Sequence, residues 1–235
     1  MKVLIFSFFL SLNLSVFGQQ KAFFDAAEAV FSTYVSNGKV DYAAINDYPE
    51  KLNTALNVAK NLQVSTDDPE VYKAFWINTY NLAVIKGIID NYPIASPMDA
   101  AGFFDLITYD LGGQKTTLNN IENDLLRAEF PNEARFHFAL VCAGLSCPPI
   151  IDTAYRPESL DDQLQKQTDL SLNNPDFIKV NGNNVAVSMI FKWYKEDFEK
   201  HGGAFAFINT FRDKKLPKSA TLNYYDYDWA LNGQK

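Results

Sequence analysis

Cysteine and histidine are scarce in this chain, with two of each among 235 residues. Two cysteines are too few for a disulfide scaffold, so a hydrophobic core must hold the fold. Basic charge is also in deficit: 21 Lys and Arg stand against 28 Asp and Glu, a net charge of −7. An acidic surface repels phosphate backbones, which excludes nucleic acid as the expected partner. No internal repeat and no low-complexity linker interrupts the chain, and the charged share of 21% is ordinary for a folded protein. What the chain has in quantity is apolar and aromatic matter. The hydrophobic share is 47%, with 19 Phe and 12 Tyr, so an aromatic-rich core is expected.

Only the N-terminus carries a long apolar run. Lys2 provides a positive start, Val3 to Leu12 is almost unbroken apolar sequence, and Val16-Phe17-Gly18 suits signal peptidase. Cleavage is expected between Gly18 and Gln19, leaving residues 19–235 as a single domain and making the balance of charge one unit more negative. The run is too short to span a bilayer comfortably, and no stop-transfer segment follows it. No cysteine sits at the cut to take a lipid. Export to the periplasm or beyond is the expectation, against the alternative of a buried N-terminal helix.

Helical periodicity dominates the first half of the chain. Lys21 to Val35 repeats apolar residues at helical spacing and ends at Asn37-Gly38. Val40 to Ala43 reads as a short strand and Pro49 to Leu62 as a second helix. Asp68-Pro69-Glu70 opens the strongest helix, with Asp68 as cap and Pro69 in its first turn. That helix is apolar on two sides and should be buried. Asn78 and Asn81 lie within it, and a buried amide without partners costs a few kcal/mol, so both should bond something specific.

Strands enter in the second half. Phe103 to Tyr109 and Lys115 to Leu118 flank Leu111-Gly112-Gly113-Gln114, and a short helix then runs to about Ala128. Arg135 to Cys142 reads as a strong strand. A helix over Leu160 to Leu172 precedes a hairpin at Asn181-Gly182-Asn183-Asn184. Helices over Met189 to Lys200 and Ala204 to Phe211 are split by Gly202-Gly203, and Leu222 to Trp229 reads as a final strand. This order predicts an α+β fold, helix-rich first, with a mixed or antiparallel sheet and packed helices later.

The stretch from His137 to Pro149 concentrates the scarce residues: His137, Cys142, Ser146 and Cys147, the last just before a Pro-Pro pair. With Ala74-Phe75-Trp76-Ile77-Asn78 and Asn81, Leu118 to Glu122 with Leu126-Arg127, Phe191 to Phe198, and Tyr227-Asp228-Trp229, it forms a series of motifs spanning almost the whole mature chain. In these the chain resembles the bacterial and plant family named domain of unknown function 547. The resemblance implies a family and no activity, because the family's name records none. Two departures stand out. Relatives often carry His directly after the Glu of the second of these motifs, where this chain has Asn123. Plant relatives look to have Ser in the place of Cys147 while keeping the counterpart of Cys142.

Four readings of the cysteines compete: a small Cys142–Cys147 disulfide loop, two buried free thiols, a catalytic Cys147, and a metal site of His137, Cys142 and Cys147. The metal site lacks an evident fourth ligand, and a strand would scatter its ligands on opposite faces. On an extended strand His137 and Cys142 stand roughly 16 Å apart, which leaves Cys147, after the turn, as the nucleophile that can return to the imidazole. In that reading Cys147 attacks peptide-like amides, His137 is the base and Glu122 orients it, with Asn78 and Asn81 supporting. Glu122 has a plainer reading too, as the far end of a capping box begun at Asn119. His201 is expected in a solvated role. Trp76, Trp193 and Trp229 are expected in the core, Glu196 and Asp197 on a solvated helix face, and Arg127 in an ion pair. Two functions therefore stand side by side. One is a cysteine-dependent hydrolase or acyl transferase. The other is a non-catalytic binding module of the cell envelope, taking a small molecule or an extended peptide and using neither cofactor nor metal.

Overall fold

Burial is what makes the central helix long. The computed structural model describes the backbone of residues 4–234 and side chains from residue 18 onward, so the side chains of the expected leader and its cleavage signal fall outside the described residues. Helix α1 spans Leu4–Tyr34 and leads through the two-residue strands β1 (Val35–Ser36) and β2 (Lys39–Val40) to α2 (Tyr42–Asp47) and α3 (Glu50–Asn61). Helix α4, Pro69–Asp90, opens as its sequence predicts: the Asp68 side chain accepts from the Val71 amide and Pro69 occupies the first turn. Between Val71 and Ile88 every side chain is buried except Lys73 and Lys86. Among the described residues, no helix is long and apolar enough to cross a membrane.

The hairpin of β3 (Tyr109–Leu111) and β4 (Gln114–Thr116) follows. Gly112 and Gly113 turn it, both with positive φ, and a Cβ on Gly112 would meet the Trp76 ring at 2.6 Å. The expected strand from Phe103 is not formed; that stretch is a series of turns whose Phe103 ring is buried. Helix α5, Leu118–Asn120, is capped by the Thr117 side chain on the Asn120 amide, then widens into a π turn over Ile121–Arg127. The expected capping box of Asn119 and Glu122 is therefore replaced by Thr117, and Glu122 is left free to serve elsewhere.

The larger correction concerns Arg135 to Cys142, which is not a strand. Residues Phe136–Ala139 form the short helix α6, and the chain becomes extended only from Leu140. Two forces select this. Phe136 is buried in one hydrophobic cluster, with Phe75, Leu82 and Leu160, while Phe138 is buried in another, with Phe177, Phe191 and Phe207. The backbone beyond α6 needs no neighbouring strand, because Asn81 pairs with it. Asn81 Nδ2 donates to the Ala139 carbonyl at 3.0 Å, and Asn81 Oδ1 accepts from the Val141 amide at 2.9 Å. Asn78 does the same for Tyr155, accepting from its amide at 2.9 Å and donating to its carbonyl at 2.8 Å. Both interior amides thus tie loops to α4.

The second cluster is built by the end of α7 (Leu160–Asn173), whose Leu160 and Leu164 lie in the first, with β5 (Ile178–Asn181), β6 (Asn184–Val187), α8 (Ile190–Trp193), α9 (Lys195–Glu199), α10 (Gly203–Phe211) and β7 (Thr221–Tyr224). Strand β6 pairs antiparallel with β5 and parallel with β7, giving a mixed three-stranded sheet in an α+β architecture. Strand β7 ends before the expected Trp229. Beyond it the chain crosses back and docks on the loop after α6: Ser146 donates to the Asp228 carbonyl, Leu145 to that of Ala230, and Asn232 to that of Ala143. Ala143 holds a φ of 64° there, and a Cβ on Gly144 would meet the Asp228 carbonyl oxygen at 3.2 Å.

Replacing Asn81 by Ala orphans a buried N–H and a buried C=O together. Chemical denaturation should show a loss of about 2–4 kcal/mol. A loss under half a kcal/mol would mean that water or a shifted backbone satisfies the loop.

Candidate functional site

Where the two hydrophobic clusters meet, they leave a cavity of about 220 Å³. Helix α4 supplies Tyr80 to its wall, and the π turn supplies Glu122. Helix α6 supplies His137, the following loop Cys142 and Cys147, α8 Ile190 and Trp193, and the docked C-terminal segment Tyr227 and Trp229. A wider depression of about 580 Å³ beside Pro149 and Gln167 has no aromatic wall. The three residues singled out for chemistry, Glu122, His137 and Cys147, all line the smaller cavity. Asn78 and Asn81 do not, since their amides are engaged with backbone.

The cysteines are joined. A disulfide links Cys142 to Cys147 across a Cα separation of 6.3 Å, and the described chain has no free cysteine. The bond withholds from Cys147 the thiolate that nucleophilic attack requires, and it removes both sulfurs from any metal site. Tyr227 fixes the bridge from the far side: its Oη lies 3.1 Å from Cys142 Sγ, and only the hydroxyl has a proton to donate.

His137 is oriented by an acid other than Glu122. Its ring, 4% exposed as a residue, sends Nε2 to Asp197 Oδ2 at 2.8 Å. Arg127 Nε donates to the same oxygen at 2.7 Å. Burial would raise the Asp197 carboxyl, but the bonds from His137 and Arg127 outweigh it and hold the group well below the usual carboxylate range. An ionised Asp197 has no proton, so Nε2 must be the donor. Asp197 is therefore no solvated-face residue: it is buried at the start of the short α9, where the break in helix at Tyr194 turns it inward. Arg127 finds the ion pair expected of it. His201 is exposed, its Nε2 3.0 Å from the Asn132 carbonyl.

Aromatic rings complete the wall. Tyr194 stacks on His137 with centroids 4.0 Å apart, and the Arg127 guanidinium stands 4.8 Å from the Tyr194 centroid. Trp193, Tyr227 and Trp229 form a cluster with centroid separations of 4.7 to 6.0 Å. Trp193 is 45% exposed, so it stands at the solvent edge and not in the core where it was expected; Trp76 is buried. Burial, reinforced by the charge of Glu122, raises the Tyr80, Tyr194 and Tyr227 phenols, which keep their protons. The Tyr80 hydroxyl lies 3.5 Å from Glu122 Oε2. The signal for these residues was already in the Phe191 to Phe198 and Tyr227 to Trp229 motifs, but their aromatics read equally well as core.

Asp197→Asn tests the network. Both donors meet one oxygen, so an amide that keeps those two bonds turns its Nδ2 hydrogens toward Lys200 and leaves the partly buried Arg127 without a paired negative charge; stability at neutral pH should fall by about 2–3 kcal/mol. Because the folded Asp197 sits below its ordinary value of 3.8, its contribution is complete above that value and is lost as pH falls through the folded value. The gap between variant and wild type, followed by denaturant melts, should be constant above about pH 5 and close on further acidification. A gap that does not change with pH would contradict the assignment.

No curated protein and no solved structure matches the chain. Residues 64–170 match the family described as "Protein of unknown function, DUF547", and over that stretch, which carries Glu122, His137 and both cysteines, the chain resembles it.

Proposed function

We propose that this chain is an exported binding module whose ligand seats in the aromatic cavity at the junction of the two clusters. The observation that carries this reading is the pairing of an open, aromatic-walled cavity with a disulfide that ties up its only two thiols. Concave sites with apolar walls and a few convergent polar groups are where small ligands bind. A volume of about 220 Å³ suits a small molecule or one side chain or terminus of an extended peptide. Export is supported by the apolar run after Lys2 and by the bridge itself, which persists in oxidising compartments.

The hydrolase reading keeps one observation in its favour: Glu122, His137 and Cys147 line the same cavity. It requires a reduced Cys147, with Asp197 taking the orienting part first given to Glu122.

Three measurements test these readings together. The mature protein from its source cell should begin at Gln19. Its intact mass should correspond to a closed bridge, with no uptake of iodoacetamide until a reductant is added. Peptide-like esters and amides should not be turned over by the oxidised protein. Labelling of Cys147 in untreated protein, with turnover that the label abolishes, would overturn the binding reading in favour of the hydrolase. A start at Met1 would remove the export.

A further inference from the structure

Glu122 is the one carboxylate among the described residues lining the cavity, and no Lys or Arg lines it. The surrounding cations are already engaged with Asp197. Arg127 is bonded to Asp197 Oδ2 and to Asn123 Oδ1, and His137 is bonded to the same Asp197 oxygen. Lys200 stands 3.6 Å from the other Asp197 oxygen. Glu122 itself forms no ion pair within the described residues; its neighbours are the Tyr80 and Tyr194 hydroxyls, both neutral donors. It stands on the π turn of Ile121–Arg127, a helix irregularity found often at functional sites. The cavity lining thus presents one carboxylate among aromatic rings, and Arg127, which attracts it from outside the lining, is itself bonded to Asp197.

Taking this together with the binding reading on which it rests, we infer that the ligand carries an organic ammonium group, seated between the Glu122 carboxylate and the rings of Trp193, Tyr227 and Trp229. Aromatic faces carry negative quadrupole potential and attract cations, Trp most strongly. The arrangement already occurs once in the wall, where the Arg127 guanidinium stands over Tyr194. A carboxylate beside such rings adds direct charge attraction that a neutral ligand cannot use. Anions are disfavoured by the same charge, and a purely apolar ligand would leave Glu122 desolvated with no new partner.

Isothermal calorimetry on the oxidised full-length mature protein, with choline and its uncharged twin in which carbon replaces nitrogen, separates these cases. Choline should bind at least about tenfold more tightly than the twin. Glu122→Gln should remove most of that preference while circular dichroism stays unchanged, and Trp193→Ala, at the exposed edge, should weaken choline severalfold. Equal binding of the two ligands would overturn the ammonium inference and leave the binding reading standing. A preference that survives Glu122→Gln would overturn it as well, by moving the cation elsewhere. If choline gives no saturable heat while uncharged amides do, only the ammonium inference falls. If neither class binds, both fall.

Discussion

Asp197 ties this structure together where its two hydrophobic clusters meet. The chain builds two hydrophobic clusters, and a boundary between clusters is where water enters and elements part. One oxygen of Asp197 accepts from His137 on α6 and from Arg127 at the end of the π turn. The carboxylate comes from the second cluster's side, Arg127 follows Leu126 of the first, and His137 sits on α6, which feeds both. A charge buried this far is tolerated only when paired and hydrogen-bonded, and the pairing fixes the relative position of three elements at once. The cavity is the space left beside this junction, so its shape is inherited from the ion network.

The opposite wall is set by backbone and not by charge. The C-terminal segment lies on the loop after α6 through main-chain bonds from Leu145, Ser146 and Asn232. The disulfide shapes that loop from within, and Tyr227 reaches back to Cys142. Residues far apart in sequence, Tyr80, His137 and Tyr227 among them, thereby face a common volume. The segment that matches the family, residues 64–170, supplies Tyr80, Glu122, His137 and the bridge. Trp193, Asp197, Tyr227 and Trp229 come from beyond it, so neither stretch alone encloses the site.

Local signals located most of the elements. The cap at Asp68, the turn at Gly112-Gly113 and the hairpin at Asn181 to Asn184 all rest on interactions within a few residues, and each is found where it was expected. The failures were equally consistent. Phe136 to Val141 alternates and is β-rich by composition, yet it is helical and then extended, because Asn81, some sixty residues earlier, satisfies its backbone. Glu122 looked like part of a cap because it stands three residues after Asn119; Thr117 caps instead, two residues earlier. Asp197 looked solvated because it stands with Lys192, Lys195 and Glu196 in a run of charges spaced for local pairing on a helix face.

The amino-acid sequence determined the α+β class, the burial of α4, the need of Asn78 and Asn81 for partners, and the family resemblance, since periodicity, capping and motif order are properties of neighbouring residues. It also narrowed the chemistry to Glu122, His137 and the two cysteines by their rarity and company. Tertiary structure decided what those residues touch. Whether two cysteines five positions apart are bonded, which carboxylate meets an imidazole, and whether a tryptophan faces water or core depend on distances between segments that are remote along the chain. Those distances are set by how two clusters pack around one buried charge.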